Sequence, residues 1–176
     1  DRIMNRVDVT PSDRKVAVAA NNAASESKND TSKGYNGLYT GAAIEIWQKE
    51  KPIIVTGKLS KTLHSESAAL LNAVKILAGI PDEIDVLSPI IIESIMQLKA
   101  QMKNPDQTLD VREVLDALAV SAVFNPNAAE CIKALPQLEQ CEMHSTHLMD
   151  PGCEKPLKEL NLNITTDAKL PELNNN

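Results

Sequence analysis

Eight residues near the end of the chain, "CEMHSTHL" at positions 141–148, carry side chains that can bind a metal ion or act in catalysis. They include a thiol, a carboxylate and two imidazoles, in a chain with three His and three Cys in all. Cys and His are good ligands for zinc and iron, and the Cys-x-x-His spacing suits one metal. The segment therefore makes Cys141 and His144 candidate ligands of a divalent metal such as zinc.

The conformation of this segment decides which side chains meet. In a strand, alternate residues share a face, so His144 points with Glu142 and away from His147. If the strand ends near His144 and the chain turns, both imidazoles and the thiol can face one pocket at the carboxyl edge of a sheet. Alternatively, Cys141 and Met143 are core residues beside a polar face. The sequence leaves these interpretations open.

A second motif, "HSE" at positions 64–66, precedes an Ala- and Leu-rich segment that predicts a helix. The first turn of a helix has free N–H groups and a positive dipole end, which favour an anion or a polarised group. His64, Glu66 and His144 are the catalytic candidates, and His64 joins Cys141 and His144 as a candidate metal ligand. The simpler alternative for His64 is a solvated side chain beside a helix cap.

Polar residues after the last predicted strand extend the candidate site. The segment "TTDA" at 165–168 places two hydroxyls and a carboxylate where they can line the same pocket as His144, or form only a capped turn. The ligand-binding candidates are Ser65, Glu142, His147, Thr165, Thr166 and Asp167. We expect one cleft that groups His64, Cys141 and His144. That cleft requires His64 and His144 to lie on the same side of the sheet.

Hydrophobic periodicity and turn residues predict the elements that position these side chains. Two apolar runs around the polar tip "QKEK" predict a β-hairpin over 40–58. Ser65 or Ser67 is expected to cap the helix that ends at Gly79, and Thr108 is expected to cap the helix predicted over 109–124. Helices are predicted over 12–28, 64–80, 88–102, 109–124, 125–135 and 151–161, and further strands over 83–88, 139–148 and 162–166.

This order predicts an α/β fold, a three-layer sandwich with a mixed sheet and helices on both faces. The chain has 176 residues, enough for one compact domain. A polar segment that contains two Gly follows the first predicted helix. We therefore divide the chain into a helical arm, or the end of a preceding domain, over 1–33 and an α/β C-terminal domain over 34–176.

Composition excludes several classes of partner. The net charge is −6, with no basic stripe, which argues against nucleic acid. No apolar stretch approaches the ~20 residues of a membrane span. An odd number of irregularly spaced Cys favours reduced thiols in a cytoplasmic protein, with Cys131 packed on a helix and Cys153 exposed. With 43% hydrophobic but 2% aromatic residues, the core is expected to consist of Leu, Ile, Val and Ala.

Several blocks of the sequence carry a family resemblance. The blocks "YTGAAIEI", "IVTGK", "LLNAVKILAGIPDEIDVLSPIIIES", "LPQLEQCEMHSTHLMDPG" and "LNLNITTDA" resemble the C-terminal part of the bacterial domain-of-unknown-function family 1846, over about residues 1 to 168. The resemblance implies relatives about three times this length, with a preceding nucleotide-binding-like region that carries Gly-Ser-Gly-Lys. The chain begins at Asp1 rather than Met, and we expect it to be a fragment.

The resemblance also implies a cytidine-deaminase-like topology. The hairpin, the His-x-Glu motif and the helix over about residues 39–80 are similar to that fold, in which the His binds zinc and the Glu moves protons. The Pro-Cys-x-x-Cys motif of deaminases is absent from this sequence. A degenerate, metal-dependent hydrolase-like site built from His64, Cys141 and His144 is therefore the alternative function.

Two functional hypotheses follow. In the first, the chain is the ligand- or metal-binding part of a larger enzyme. In the second, it is a structural or oligomerisation domain that packs against the nucleotide-binding-like region. The segment "SPIIIESIMQLKAQM" favours the second, because three consecutive Ile exceed what one helical face needs. We expect the preceding region to be a partner, and the protein to be a homo-oligomer.

Overall fold

A computed structural model describes residues 14–167. The described part contains six α-helices and four strands. In chain order they are α1 (Lys15–Ser27), β1 (Gly41–Gln48), β2 (Lys51–Lys58), α2 (Ser65–Ala78), α3 (Pro89–Gln101), α4 (Val111–Ser121), α5 (Pro126–Ala134), β3 (Glu142–Ser145), α6 (Pro151–Glu159) and β4 (Asn163–Thr166), with a 3₁₀ turn (Leu135–Leu138) after α5. Within this part no helix is long and apolar enough to cross a bilayer.

The predicted hairpin is confirmed. Strands β1 and β2 pair antiparallel from Gly41 opposite Lys58 to Gln48 opposite Lys51. The turn consists of Lys49 and Glu50, with φ of 51° and 65°. Two residues with positive φ form a turn whose twist matches that of the flanking strands.

The sheet is mixed and covered on both faces, as predicted. Its strand order is β2-β1-β3-β4, with β3 antiparallel to β1 and parallel to β4. Helix α1 packs on one face, where Val16 and Ala20 contact Ala43 of β1. The other face carries Ala42 and Ile44 and packs against α2 and the main core. The cytidine-deaminase-like topology and the division of the chain at residue 33 stay predictions.

The core is aliphatic, as the composition predicted. Its largest fully buried side chains include Ile44, Ile46, Leu70, Leu109 and Leu118. Small residues allow α2 to lie close to the sheet. A Cβ atom at Gly57 of β2 would lie 2.2 Å from the backbone nitrogen of Ala69 in α2. The start of α2 is thereby fixed against the sheet.

Two predicted helix caps are wrong. Residue His64 occupies the N-cap of α2 without a side-chain cap bond, and both serines lie inside the helix. The hydroxyl of Ser67 instead donates to the carbonyl of Leu109, 2.9 Å away. Helix α4 is capped by Asp110, which forms a capping box with Glu113 rather than using the predicted Thr108. The hydroxyls of Ser67 and Thr108, which were expected to cap helices, instead contact residues that are distant in the sequence.

Residues 83–88 form a loop rather than the predicted strand. Val86 and Leu87 are buried in the main core without pairing to a strand. A short apolar run has the same sequence pattern in a buried strand and in a buried loop, which explains the error. The first two residues of the helix predicted over 12–28 lie outside the described residues.

Candidate functional site

Strand β3 decides where the candidate residues point. His144 pairs with Ala43, on the face that α1 covers, whereas Ser145 pairs with Ala42 and Met143 with Ile44, on the α2 face. Cys141 lies in the main core beside Met143. The alternation expected of a strand therefore separates Cys141 from His144.

The predicted cleft of His64, Cys141 and His144 is not formed. His64 precedes α2, so His64 and His144 lie on opposite sides of the sheet. The Cys141 thiol is buried and donates to the carbonyl of Gln137 at 3.5 Å. Burial raises the pKa of Cys141, which favours the neutral thiol.

His144 instead belongs to a polar group on the α1 face. Its Nδ1 lies 2.7 Å from Oγ1 of Thr165, and its Nε2 lies 2.9 Å from Oδ1 of Asp167. The guanidinium of Arg14 contacts Thr165 and forms an ion pair with Glu142. The structure thus brings His144, Glu142, Thr165 and Asp167 together. Both ring nitrogens of His144 are therefore within hydrogen-bonding distance of side chains on β4 or directly after it.

Glu66 is the centre of a second polar group, on the α2 face. Its side chain is fully buried. Oε1 of Glu66 accepts a hydrogen bond from the Ser145 hydroxyl at 2.7 Å and lies 3.1 Å from Nε2 of His147. Oε2 accepts from the Ser65 hydroxyl at 3.3 Å, and Oγ of Ser65 lies 2.9 Å from Oγ1 of Thr40. We call these five residues the Glu66 network.

His64 is the centre of a third group, which we call the His64 cluster and which also contains Asp106, Thr108 and Asp150. The Nδ1 atom of His64 lies 3.0 Å from Oγ1 of Thr108. Its Nε2 atom lies 3.3 Å from Oδ2 of Asp106 and 3.4 Å from Oδ2 of Asp150. The imidazole is largely buried, whereas both carboxylates are about half exposed.

Three helix starts meet at the His64 cluster. The backbone N–H of His64, the cap of α2, donates to the carbonyl of Leu109 at 3.0 Å, next to the α4 cap Asp110. The α6 cap Asp150 contacts His64. Gly152 of α6 is close to Asp110, because a Cβ there would lie 2.0 Å from Oδ2 of Asp110. The positive ends of three helix dipoles thus face a site rich in carboxylates.

Electrostatics in the His64 cluster favour paired charges. Burial lowers the pKa of His64, but the carboxylates of Asp150, Asp106 and Glu66 outweigh burial and raise that pKa above its usual value. The hydrogen bond with His64 holds the pKa of Asp150 below its usual range. The cluster therefore attracts positive charge at Nε2 of His64, whether a proton or a metal ion supplies it.

A set of metal-ligand types occurs at the same place. His64, Asp150 and Cys153 each offer one ligand atom, and these three atoms lie within 4.8 Å of one another. Cys153 was predicted to be exposed and is buried, because the start of α6 turns its side chain into the main core. Asp106, Thr108, Asp150 and Cys153 were not among the predicted site residues. The available signal was "DPGC", where an Asp cap precedes Pro and stands three residues before a Cys.

Two surface cavities lie near these groups. Thr165 and Thr166 border a cavity of about 240 Å³ beside α6. Another cavity, of about 420 Å³ between β2, α2 and the loop at 85–87, is lined by Lys33, Lys58 and Lys75 but by none of the predicted site residues. The candidate ligands of the His64 cluster and the Glu66 network are therefore held between packed elements rather than in either cavity.

The fold and these groups define an α/β domain with a buried histidine–carboxylate site at the meeting point of three helices. The family model described as "Domain of unknown function DUF1846, C-terminal" matches residues 12–175, and the chain belongs to this family. The predicted family is thereby confirmed.

Proteins of known sequence agree with this assignment. The chain is similar to a UPF0371 protein of Clostridioides difficile (strain 630), with 34% identity over 173 residues, 98% of this chain and 34% of the relative. UPF0371 proteins of Clostridium botulinum (strain Eklund 17B / Type B) and Clostridium tetani (strain Massachusetts / E88) are each 35% identical over 170 residues, 96% of this chain and 33% of the relative. The chain spans about a third of the length of the curated relatives it matches.

Proposed function

We propose that this chain is a C-terminal domain that docks onto the preceding region of a longer protein and contributes a polar ligand site to it. The observation that carries this proposal is helix α3, "PIIIESIMQLKAQ", which is rich in Ile, Leu and Met but has no buried residue. An apolar helix that its own domain covers on one side only is typical of an interaction surface.

The outward side of α3 is the proposed docking surface, which we define by Ile90, Leu98 and Met102. These side chains are 75%, 59% and 73% exposed. The inward side is partly buried against the main core. One end of α3 is held by Lys99, whose Nζ donates to the carbonyl of Thr108 at 2.7 Å and pairs with Glu113 at 2.8 Å. The docking surface is therefore presented by a fixed helix.

The occupant we propose is the preceding region of the same protein. About two thirds of each of the relatives lies outside the matched part, and the family description gives that part as C-terminal. A covalently linked region has a high effective concentration, so a modest apolar surface suffices for docking. A second copy of the chain is the competing occupant.

The polar ligand site in this proposal consists of the His64 cluster and the Glu66 network. His64, Ser65, Glu66 and His147 are the sequence candidates that lie there, on the α2 side of the sheet. The half-exposed carboxylates of Asp106 and Asp150 give the site an outer face. A bound group from the preceding region, or a ligand held between the two, would meet this face.

Thiol labelling tests the docking. A cysteine replaces Ile90 in one variant and, as the control, Val18 in another, since Val18 is 51% exposed but lies on α1. The three native thiols of this chain are buried. We expect Ile90→Cys to be labelled at least tenfold more slowly in the full-length protein than in this chain, with no such difference for Val18→Cys.

Two results would contradict the proposed docking. Equal labelling rates of Ile90→Cys in both proteins would show that the preceding region leaves α3 uncovered. If Ile90→Cys is labelled slowly in this chain alone and the labelling rate rises on dilution, the occupant is a second copy of the chain. Sedimentation would then show a dimer.

A further inference from the structure

We infer that the His64 cluster and Cys153 form a binding site for a divalent transition metal of the zinc class, with His64, Asp150 and Cys153 as protein ligands. The inference rests on the positions of these side chains and does not depend on the docking of α3. The ligands come from two helix starts that are far apart in the sequence.

The hydrogen bonds around His64 prepare its Nε2 atom for a metal. The hydroxyl of Thr108 donates its one proton to Oδ1 of Asp106, 2.6 Å away. Oγ1 of Thr108 can therefore only accept from Nδ1 of His64, 3.0 Å away. In the neutral imidazole this places the lone pair on Nε2, which faces carboxylate oxygens. A hydroxyl and carboxylate behind a histidine are the usual means of orienting a metal ligand.

The distances around Nε2 suit a shared cation. Tetrahedral zinc with bonds of about 2.0–2.1 Å to nitrogen and oxygen places its ligand atoms roughly 3.4 Å apart. Nε2 of His64 lies 3.4 Å from Oδ2 of Asp150 and 3.3 Å from Oδ2 of Asp106. Nε2 of His64 therefore faces two carboxylate oxygens, and a metal ion bound between Nε2 and Asp150 would offset their negative charge.

Asp150 and Cys153 are fixed by the start of α6. Oδ1 of Asp150 accepts from the backbone N–H of Cys153 at 3.1 Å, which leaves Oδ2 toward His64. The Cys153 side chain is 1% exposed. A bound metal removes the thiol proton and compensates the buried negative charge of the thiolate.

The nearby thiol distinguishes this site from the other histidines. Among residues 14–167, His64, Asp150 and Cys153 form the one group of three His, Cys, Asp or Glu side chains whose ligand atoms lie within 4.8 Å of one another. A thiolate, an imidazole and one carboxylate favour zinc over magnesium or calcium, which prefer oxygen ligands alone.

Cobalt titration of the full chain tests the inference. Co²⁺ is added to chelator-treated protein while visible d–d absorption and near-ultraviolet sulfur-to-cobalt charge transfer are recorded. We expect one equivalent to bind with both bands, and one equivalent of Zn²⁺ to displace it. Cys153→Ser should abolish the charge-transfer band, and His64→Gln and Asp150→Asn should each weaken binding at least tenfold.

Matched controls separate this site from other thiols and histidines. Cys141→Ser, Cys131→Ser and His144→Gln should leave both bands unchanged. Asp150→Asn keeps the oxygen that caps α6, so it tests the metal even if Cys153→Ser folds poorly. Circular dichroism checks each fold. Absence of Co²⁺ and Zn²⁺ binding at about 1 mM metal, or a charge-transfer band that persists in Cys153→Ser and disappears in Cys141→Ser, would overturn the inference.

Discussion

Nε2 of His147 lies 3.1 Å from Oε1 of Glu66, a carboxylate with no exposed surface. A buried carboxylate is stable only when hydrogen bonds and a positive partner compensate the loss of water. His147 is the titratable nitrogen base that contacts Glu66 among the described residues. This contact joins the loop after β3 to the first turn of α2.

Removal of the imidazole should leave the buried carboxyl group of Glu66 without one of its partners. We expect His147→Ala to lower the free energy of unfolding by about 3–5 kcal/mol, because breaking a buried pair leaves the remaining polar group uncompensated. Urea unfolding at neutral pH measures the change. In a Glu66→Gln background the same substitution should cost clearly less. An equal cost in both backgrounds would show that packing, not charge, stabilises the contact.

The close approach of α2 to the sheet should make Gly57 intolerant of a side chain. A Cβ at this position meets the backbone of Ala69 and of Ser65, neither of which can rotate away. We expect Gly57→Ala to cost about 1–3 kcal/mol and to speed amide exchange in the first half of α2. Exchange followed by mass spectrometry locates the effect.

Gly79, after α2, is the control for that substitution. It has φ of 73° and no atom within 4 Å of the position of a Cβ. Gly79→Ala should therefore cost about 1–2 kcal/mol from backbone strain alone and change exchange only near the end of α2. Unchanged exchange at the start of α2 in Gly57→Ala would refute the predicted clash.

The capping box of α4 should contribute measurably to stability. Oδ1 of Asp110 accepts from the backbone N–H of Glu113 at 2.9 Å, and Oε1 of Glu113 accepts from the N–H of Asp110 at 3.0 Å. We expect Asp110→Ala to cost about 0.5–2 kcal/mol in thermal or urea unfolding. Ser88→Ala at the α3 cap, whose side chain makes no cap bond, should be nearly neutral. Similar losses from both would contradict this assignment.

The three thiols should be unreactive in the native protein. Cys131, Cys141 and Cys153 are unpaired and buried. Burial also raises the pKa of each, so little thiolate is present at neutral pH. A chromogenic disulfide reagent should detect no fast-reacting thiol in native protein and three after denaturation. One fast equivalent without denaturant would place a thiol at the surface.

Local sequence signals were sufficient for most of the elements. The hairpin follows from two apolar runs around a polar tip, and the end of α2 from Gly79. These features depend on residues a few positions apart, where turn chemistry and helix periodicity act directly. Residues 83–88 were predicted to be a strand because of their apolar residues. Two of these apolar residues, Val86 and Leu87, are buried in the core although the segment does not pair with a strand.

The candidate site was only partly predictable. His64, Glu66 and His147 were chosen for their residue types, and they lie in polar groups on one side of the sheet. The predicted grouping of His64 with Cys141 and His144 is not formed. Alternate residues of β3 point to opposite faces of the sheet, and His144 points to the face that α1 covers. The family itself was recognised from blocks of sequence and is confirmed by the match over residues 12–175.

The sequence by itself determined the α/β class, the aliphatic core and the residue types available for chemistry. Only the tertiary structure decided that His64 meets Asp150 and Cys153 rather than Cys141. Such a meeting depends on which helix starts are packed together and on which face each strand residue points, and both are set by long-range burial. A spacing motif such as Cys-x-x-His describes neighbours along the chain, whereas this site joins segments brought together by the packing of α2, α4 and α6.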